Sequence, residues 1–235
     1  SLFTIIVITN SFNLIDGVDG LAGSLGLLTT LVFGSYFFYI GQFTYAVMAF
    51  ALAGSLISFL IYNFPPAKIF MGDTGSLLLG LVNSILVIKF INFAAAPEAI
   101  LPLEAAPAIG FAILMIPLAD TLRVFGLRLL DRRSPFSPDR NHIHHFLLDL
   151  GFSHRKITLT CVSANILFIA LAIALRQMGT TTVMGILLLS ALTLVSLVYF
   201  FRQKSKKVRL EKTTSKEIIK QPKIITLVSD TVEAE

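Results

Sequence analysis

The sequence predicts an all-α fold, a polytopic bundle of transmembrane helices with about six complete spans and the end of a seventh. Hydrophobic residues make up 55% of the 235 residues and charged residues only 14%, whereas soluble domains carry about 25% charged residues. The mean hydropathy is +0.81. The apolar residues are gathered in runs close to the ~20 residues that cross a bilayer. These observations exclude an ordinary soluble domain.

The predicted spans are residues 21–40, 43–62, 75–91, 104–122, 157–176 and 181–201. Residues 1–9 are also apolar but are too short to span a bilayer, so we expect them to be the end of a helix whose upstream part is missing from this sequence. No internal repeat is visible. We therefore predict one transmembrane domain over residues 1–201 and a basic tail over 202–235, with Cys161 a small buried hydrophobe.

The connections between the spans predict how the chain is oriented. Residues 41–42, 91–103 and 177–180 contain no Lys and no Arg, and Glu98 is their one charged residue. The polar connections expected on the opposite side are residues 10–20, 63–74, 123–156 and the tail. Because basic segments beside spans stay in the cytoplasm, we expect these polar connections to be cytoplasmic in a bacterial inner membrane.

The net charge of +5 does not indicate a nucleic-acid partner, because the basic residues flank spans. The tail alone holds nine Lys or Arg. Its first part, from Arg202 to Arg209, is typical of a stop-transfer anchor that attracts anionic lipid. Beyond it the charges are mixed, and we expect loose order there.

Four polar residues form the first cluster, Asn10, Asn13, Asp16 and Asp19. A charge at membrane depth is costly, so carboxylates beside apolar runs usually mark a site. Gly17 and Gly20 favour a turn that brings both carboxylates to the start of the next helix. Capping by Asp19 would explain one carboxylate but not the other. Oxygen ligands of this kind are those that Mg²⁺ prefers.

The second cluster lies between residues 63 and 76. Pro65 and Pro66 end the preceding helix. Asp73 and Thr74 then begin the next helix, where backbone N–H groups favour phosphate, although either residue could simply cap it. Lys68 adds a mobile positive charge that suits a phosphate group.

The third cluster contains three of the four His residues, next to Arg140. The three are His142, His144 and His145. Zinc would require a fourth ligand, and no Cys is near. Three His beside arginines suit an anionic leaving group better. Asp120 is predicted to form an ion pair with Arg123 first, and to be a site residue only second.

Three motifs carry a family resemblance. They are Asn10-x-x-Asn13-x-x-Asp16-Gly-x-Asp19-Gly-Leu-Ala, Pro66-Ala-Lys-Ile-Phe-Met-Gly72-Asp73-Thr-Gly-Ser and Ser134-Pro-Phe-Ser-Pro-Asp139-Arg140-Asn-His142-Ile-His144-His145. Over residues 2–201 the chain resembles the polyprenyl-phosphate N-acetylhexosamine-1-phosphate transferases of glycosyltransferase family 4. The His-x-His-His form resembles the branch that moves N-acetylglucosamine 1-phosphate onto undecaprenyl phosphate.

The resemblance implies a Mg²⁺-dependent transfer, with Mn²⁺ as an alternative ion. A UDP-N-acetylhexosamine would donate the sugar phosphate to the lipid phosphate, releasing UMP and initiating a lipid-linked cell-envelope glycan. It implies that Asp73 and Asn13 hold the metal, that Asp16 and Asp19 organise the nucleotide and the metal shell, and that Asn10 and Lys68 bind substrate. Arg140, His142, His144 and His145 would bind the diphosphate or the departing UMP, His142 with a catalytic role. A homodimer is compatible with this assignment.

The chain departs from the family pattern in one respect. Members carry an Asp-Asp motif on an earlier cytoplasmic loop, and this sequence has no Asp-Asp pair. We expect the missing upstream residues to contain it. The alternatives are an inactive fragment that only binds UDP-sugar or polyprenyl phosphate, and a transporter, which would place its charges near the bilayer midplane instead.

Overall fold

The computed structural model describes residues 2–130, 132 and 143–220. All regular structure in these ranges is helical, which confirms the predicted all-α class. The α-helices are α1 (Leu2–Ile15), α2 (Leu21–Tyr39), α3 (Phe43–Asn63), α4 (Gly72–Ala94), α5 (Ala106–Ile113), α6 (Met115–Leu130), α7 (Ile143–Asp149), α8 (His154–Ala174) and α9 (Thr180–Lys220).

Five of these helices are long and apolar enough to cross a membrane, namely α2, α3, α4, α8 and the first 25 residues of α9. The pair α5 and α6 provides a sixth span if the two are counted together. The predicted bundle of about six spans is therefore confirmed. The short helix α1 extends beyond the apolar residues 1–9 and includes Asn10 and Asn13.

The predicted span 104–122 is not one straight helix. The structure divides it into α5 and α6, which are bent by 85° relative to each other at Leu114. Asn165 of α8 occupies the bend: its Oδ1 accepts from the Ile116 N–H at 3.0 Å, and its Nδ2 donates to the Ile113 carbonyl at 2.9 Å. Because no water satisfies backbone groups in a bilayer core, this buried amide is what makes the break tolerable.

The loop 123–156 and the tail contain more helix than the sequence indicated. Residues 123–130 of the predicted long loop continue α6, residues 143–149 form α7, and α8 begins at His154. The tail, expected to be loosely ordered, continues α9 as far as Lys220. Lys, Arg and Glu are good helix formers, so the charges that end a span do not end its helix.

The connections are sorted to the two ends of the bundle as predicted. At one end the Gly20 N–H donates to Asn63 Oδ1 at 2.9 Å, and Arg202 pairs with Asp149 at 2.7 Å. At the other end the Thr180 hydroxyl donates to the Glu104 carbonyl at 3.2 Å. We call the first end, which carries the turn 16–20, the segment 64–71 and α7, the polar end. Its cytoplasmic orientation stays a prediction.

Helices α1 and α4 run antiparallel and touch at Gly80. A Cβ atom added at Gly80 would lie 2.6 Å from the Cα atom of Thr9 and 3.1 Å from the carbonyl oxygen of Ile8. Only a residue without a side chain permits this approach of the two backbones. One helical turn nearer the polar end, Asn13 of α1 faces Ser76 of α4.

We expect Gly80→Ala to lower the stability of the protein by about 1–3 kcal/mol, because the new methyl group must push the backbones apart. The measurement is thermal unfolding in detergent. Gly54→Ala is the matched control: a Cβ there meets no atom within 4 Å, so this change should stabilise α3 by up to about 1 kcal/mol. An equal change in the thermal stability of the two variants would contradict the close contact of α1 with α4 at Gly80.

Replacement of Asn165 by Leu should lower stability by about 1–3 kcal/mol for each of the two backbone groups that lose their partner. Thr160→Leu, at an exposed position of the same helix, is the control and should change little. Unfolding of the two variants by denaturant gives the comparison. If the Asn165→Leu protein is as stable as the unmodified protein, other groups must form hydrogen bonds with the Ile116 N–H and the Ile113 carbonyl.

Candidate functional site

The contact between α1 and α4 at the polar end brings two of the sequence motifs together. The Asn13 amide donates to Asp73 Oδ1 at 3.1 Å and to Ser76 Oγ at 2.9 Å. Asp73 is exposed in the first turn of α4, whereas Ser76 is fully buried. Asn13 and Asp73, which the resemblance implies as ligands of one metal ion, are therefore hydrogen-bonded neighbours in the structure. Their role in metal binding stays a prediction. Neither Asp73 nor Thr74 caps α4, since its N-cap position is Met71.

Asp16 lies next to this contact, in the turn between α1 and α2. Partial burial and the negative charge of Asp73 together raise the pKa of the Asp16 carboxyl to about 6. Both effects disfavour the ionised form. Two carboxylates are thus held near one another, and a cation between them would relieve their repulsion.

Asp19, at the other end of the same turn, contacts two further segments. Its Oδ2 accepts from the Ala67 N–H at 3.4 Å and lies 3.1 Å from Nδ1 of His154. Its backbone carbonyl accepts from the Thr158 hydroxyl at 3.0 Å. The capping alternative for Asp19 is not observed: α2 is preceded by Gly20, with φ of 74°, and has no side-chain cap.

Asn63 is a residue whose role the sequence did not indicate. Its buried side chain accepts from the Gly20 N–H and donates to the Ile69 carbonyl at 2.8 Å. It therefore fixes the turn 16–20 to the segment 64–71 that precedes Asp73. A buried Asn at a helix end, directly before the two prolines, is the signal that could have identified it. His154 and Ser76 were likewise missed.

The two predicted substrate-binding residues Asn10 and Lys68 lie apart from the Asn13–Asp73 contact. Asn10 donates to the Ile6 carbonyl at 3.0 Å and borders an apolar groove of about 380 Å³ between α1 and α4. Lys68 is exposed on the segment 64–71, and its backbone N–H donates to the Tyr62 carbonyl at 2.7 Å. No contact of the Lys68 ammonium group is seen with the described residues.

The third cluster is only partly described. Arg140 and His142 lie outside the described residues, and so do the side chains of His144 and His145, whose backbones begin α7. The N-terminus of α7 is held by a hydrogen bond, in which the Ile143 N–H donates to Asp120 Oδ1 at 2.8 Å.

Asp120 forms the ion pair that the sequence predicted. The distance from its Oδ1 to the Arg123 guanidinium is 3.4 Å, and the carboxylate is almost fully buried. It also accepts from the backbone of α7, so it holds that helix in place. We therefore assign Asp120 an architectural rather than a chemical role.

The residues present fit a magnesium ion better than a transition metal. Within the described ranges, no group of three or more His, Cys, Asp and Glu side chains could hold a metal ion. Mg²⁺ does not need such a group, since it usually binds one or two carboxylates together with water and substrate phosphates. Asp73 and Asp16, with the Asn13 amide beside them, supply oxygen ligands of this kind.

Comparison with known proteins supports the resemblance. Residues 1–91 match the sequence profile of glycosyl transferase family 4. The probable undecaprenyl-phosphate N-acetylglucosaminyl 1-phosphate transferase of Bacillus subtilis is 37% identical over 173 residues, covering 74% of this chain and 46% of the relative. The undecaprenyl-phosphate alpha-N-acetylglucosaminyl 1-phosphate transferase of Escherichia coli K12 is 32% identical over 160 residues, covering 66% of this chain and 42% of the relative.

A third relative, the decaprenyl-phosphate N-acetylglucosaminephosphotransferase of Mycobacterium leprae, is 36% identical over 168 residues, or 65% of this chain and 41% of its own length. The chain thus spans less than half the length of these curated relatives. These matches show that the chain belongs to glycosyl transferase family 4.

Proposed function

We propose that this protein takes part in the transfer of N-acetylglucosamine 1-phosphate from its UDP-sugar to undecaprenyl phosphate, with release of UMP. The observation that carries the proposal is the meeting of Asn13 and Asp73, sixty residues apart in sequence, at a bundle end where Asp16 is also held. The names of the relatives supply the sugar and the lipid class. The site lies beside membrane-spanning helices, where a lipid phosphate is available.

The reaction is a phosphoryl transfer. An oxygen of the lipid phosphate forms a bond to the β-phosphorus of the UDP-sugar, and the bond from that phosphorus to the bridging oxygen breaks, so the electron pair leaves with UMP. Catalysis of such a step depends on positioning and charge neutralisation rather than on covalent chemistry by the protein. A Mg²⁺ ion, when bound, would supply charge neutralisation on the diphosphate.

In this proposal the residues of this chain would have the following roles in binding the metal and the substrates. Asp73 and Asn13 hold the metal, with the Asp16 carboxylate completing the negatively charged surface that attracts it. Lys68, on a segment fixed by Asn63, meets a phosphate oxygen. The basic cluster of Arg140, His142, His144 and His145 compensates the charge on the leaving UMP. Asp19, which contacts Ala67 and His154, serves the nucleotide.

Replacement of Asp73 by Asn should reduce transfer of labelled N-acetylglucosamine 1-phosphate at least about 100-fold, because it removes a carboxylate that would hold the charge-neutralising ion, and loss of such electrostatic stabilisation typically costs about that much. Glu98→Gln, an exposed acid at the opposite end of the bundle, is the matched control and should leave the rate unchanged. The measurement is labelled lipid product formed with and without Mg²⁺. Absence of product even after the expected upstream residues are restored, with UDP binding retained, would contradict transfer and favour the binding-only alternative.

The raised pKa of Asp16 predicts how metal binding depends on pH. Above pH 6 the carboxylate is ionised and can attract a cation, and below pH 6 protonation should weaken the apparent affinity by up to tenfold per pH unit. In the apoprotein the same shift acts in the opposite sense: ionisation of Asp16 costs stability, so the cost is absent at low pH and appears as the pH rises from about 4 to about 6.

Titration with Mn²⁺ followed by electron paramagnetic resonance at pH 5, 6 and 7 tests this prediction. Asp16→Asn should flatten the pH dependence over this range and bind Mn²⁺ more weakly at pH 7. An unchanged slope in the variant would show that a different group controls metal binding.

A further inference from the structure

Helix α8 reaches the site through its first residue, His154. The His154 Nδ1 atom lies 3.1 Å from Oδ2 of Asp19, within hydrogen-bonding distance. No motif of the sequence included this residue. A second contact lies one turn further along α8, where the Thr158 hydroxyl donates to the backbone carbonyl of Asp19 at 3.0 Å.

The contacts of the Asp19 carboxylate are one-sided. Both the Ala67 N–H and His154 are placed at Oδ2, and no hydrogen bond to Oδ1 is found within the described part of the chain. A carboxylate held by one oxygen cannot rotate freely, and its second oxygen keeps its acceptor sites. Asp19 is thus oriented with Oδ1 left for a donor from outside the fold.

The contact between His154 and Asp19 itself contributes little to stability. The His154 side chain is 41% exposed and that of Asp19 is 23% exposed, and pairs this accessible to water contribute weakly to folding. The turn is already fixed by the Thr158 hydroxyl and by the buried Asn63 side chain. What His154 adds is control over the direction of one carboxylate.

We infer that His154 is a positioning residue, which orients the Asp19 carboxylate so that Oδ1 receives a donor group of the bound nucleotide. This inference rests on the proposed function, because it takes a nucleoside diphosphate as the ligand. His154 does not touch the ligand. Its effect on binding must therefore pass through Asp19.

The test is the binding of UDP to the full 235-residue chain in detergent, measured by isothermal titration calorimetry. His154→Leu should weaken binding roughly tenfold or more, as is typical for the loss of a partner that orients a ligand-binding side chain. His154→Asn places an amide N–H near the position of Nδ1 and should bind within about threefold of the unmodified protein. Lys156→Leu, two residues further on α8 and exposed, should bind UDP normally.

A double-mutant cycle shows whether the effect passes through Asp19. In an Asp19→Ala background, His154→Leu should produce no further loss of UDP affinity. Thermal unfolding of each variant checks that the fold is retained. If the Leu variant does not fold, His154→Gln, whose amide extends past the Nδ1 position, takes its place and should bind more weakly than His154→Asn.

The outcomes separate the two proposals. Normal UDP binding by His154→Leu, or an equal loss with and without Asp19, overturns the inference and leaves the proposed function standing. Failure of the unmodified chain to bind UDP contradicts nucleotide binding by this chain and overturns the inference with it. A loss that Asn rescues and that disappears without Asp19 supports the inference.

Discussion

The approach of α1 to α4 at Gly80 is the constraint on which the candidate site depends. The two backbones are so close there that a single methyl group would not fit. Because the helices are antiparallel, this contact also sets their register, and one turn away it brings Asn13 against Ser76 and Asp73. A small residue deep in the bundle thus determines the geometry of charged residues at its polar end.

The positions of Asp16 and Asp73 leave a repulsion between two carboxylates near the polar end of the bundle. Burial of Asp16 and, second to it, the negative charge of Asp73 raise the pKa of the Asp16 carboxyl, so the fold bears a free-energy cost whenever Asp16 is ionised. Among the described residues, no Lys or Arg forms an ion pair with Asp16. The site is therefore suited to binding an external cation. Asp120, by contrast, is paired with Arg123.

The sequence predicted the helical class and the sorting of polar segments to one end, because hydropathy depends on local composition. That Asn13 and Asp73 belong to one site was implied by the family resemblance alone, and their metal-binding roles stay a prediction. It did not predict the bend at Leu114, since residues 104–122 form one predominantly apolar run and the residue that permits the bend, Asn165, lies in a distant helix. His154 was missed for the same reason: its partner Asp19 is far away in the chain.

Helix α8 contacts the bundle at two irregular places. Asn165 holds the bend between α5 and α6, and His154, eleven residues earlier and roughly 16 Å away along the helix axis, contacts Asp19. Because one helix makes both contacts, the bend inside the bundle and the turn at its polar end are supported by the same element. Placement of α8 therefore contributes to the geometry of both.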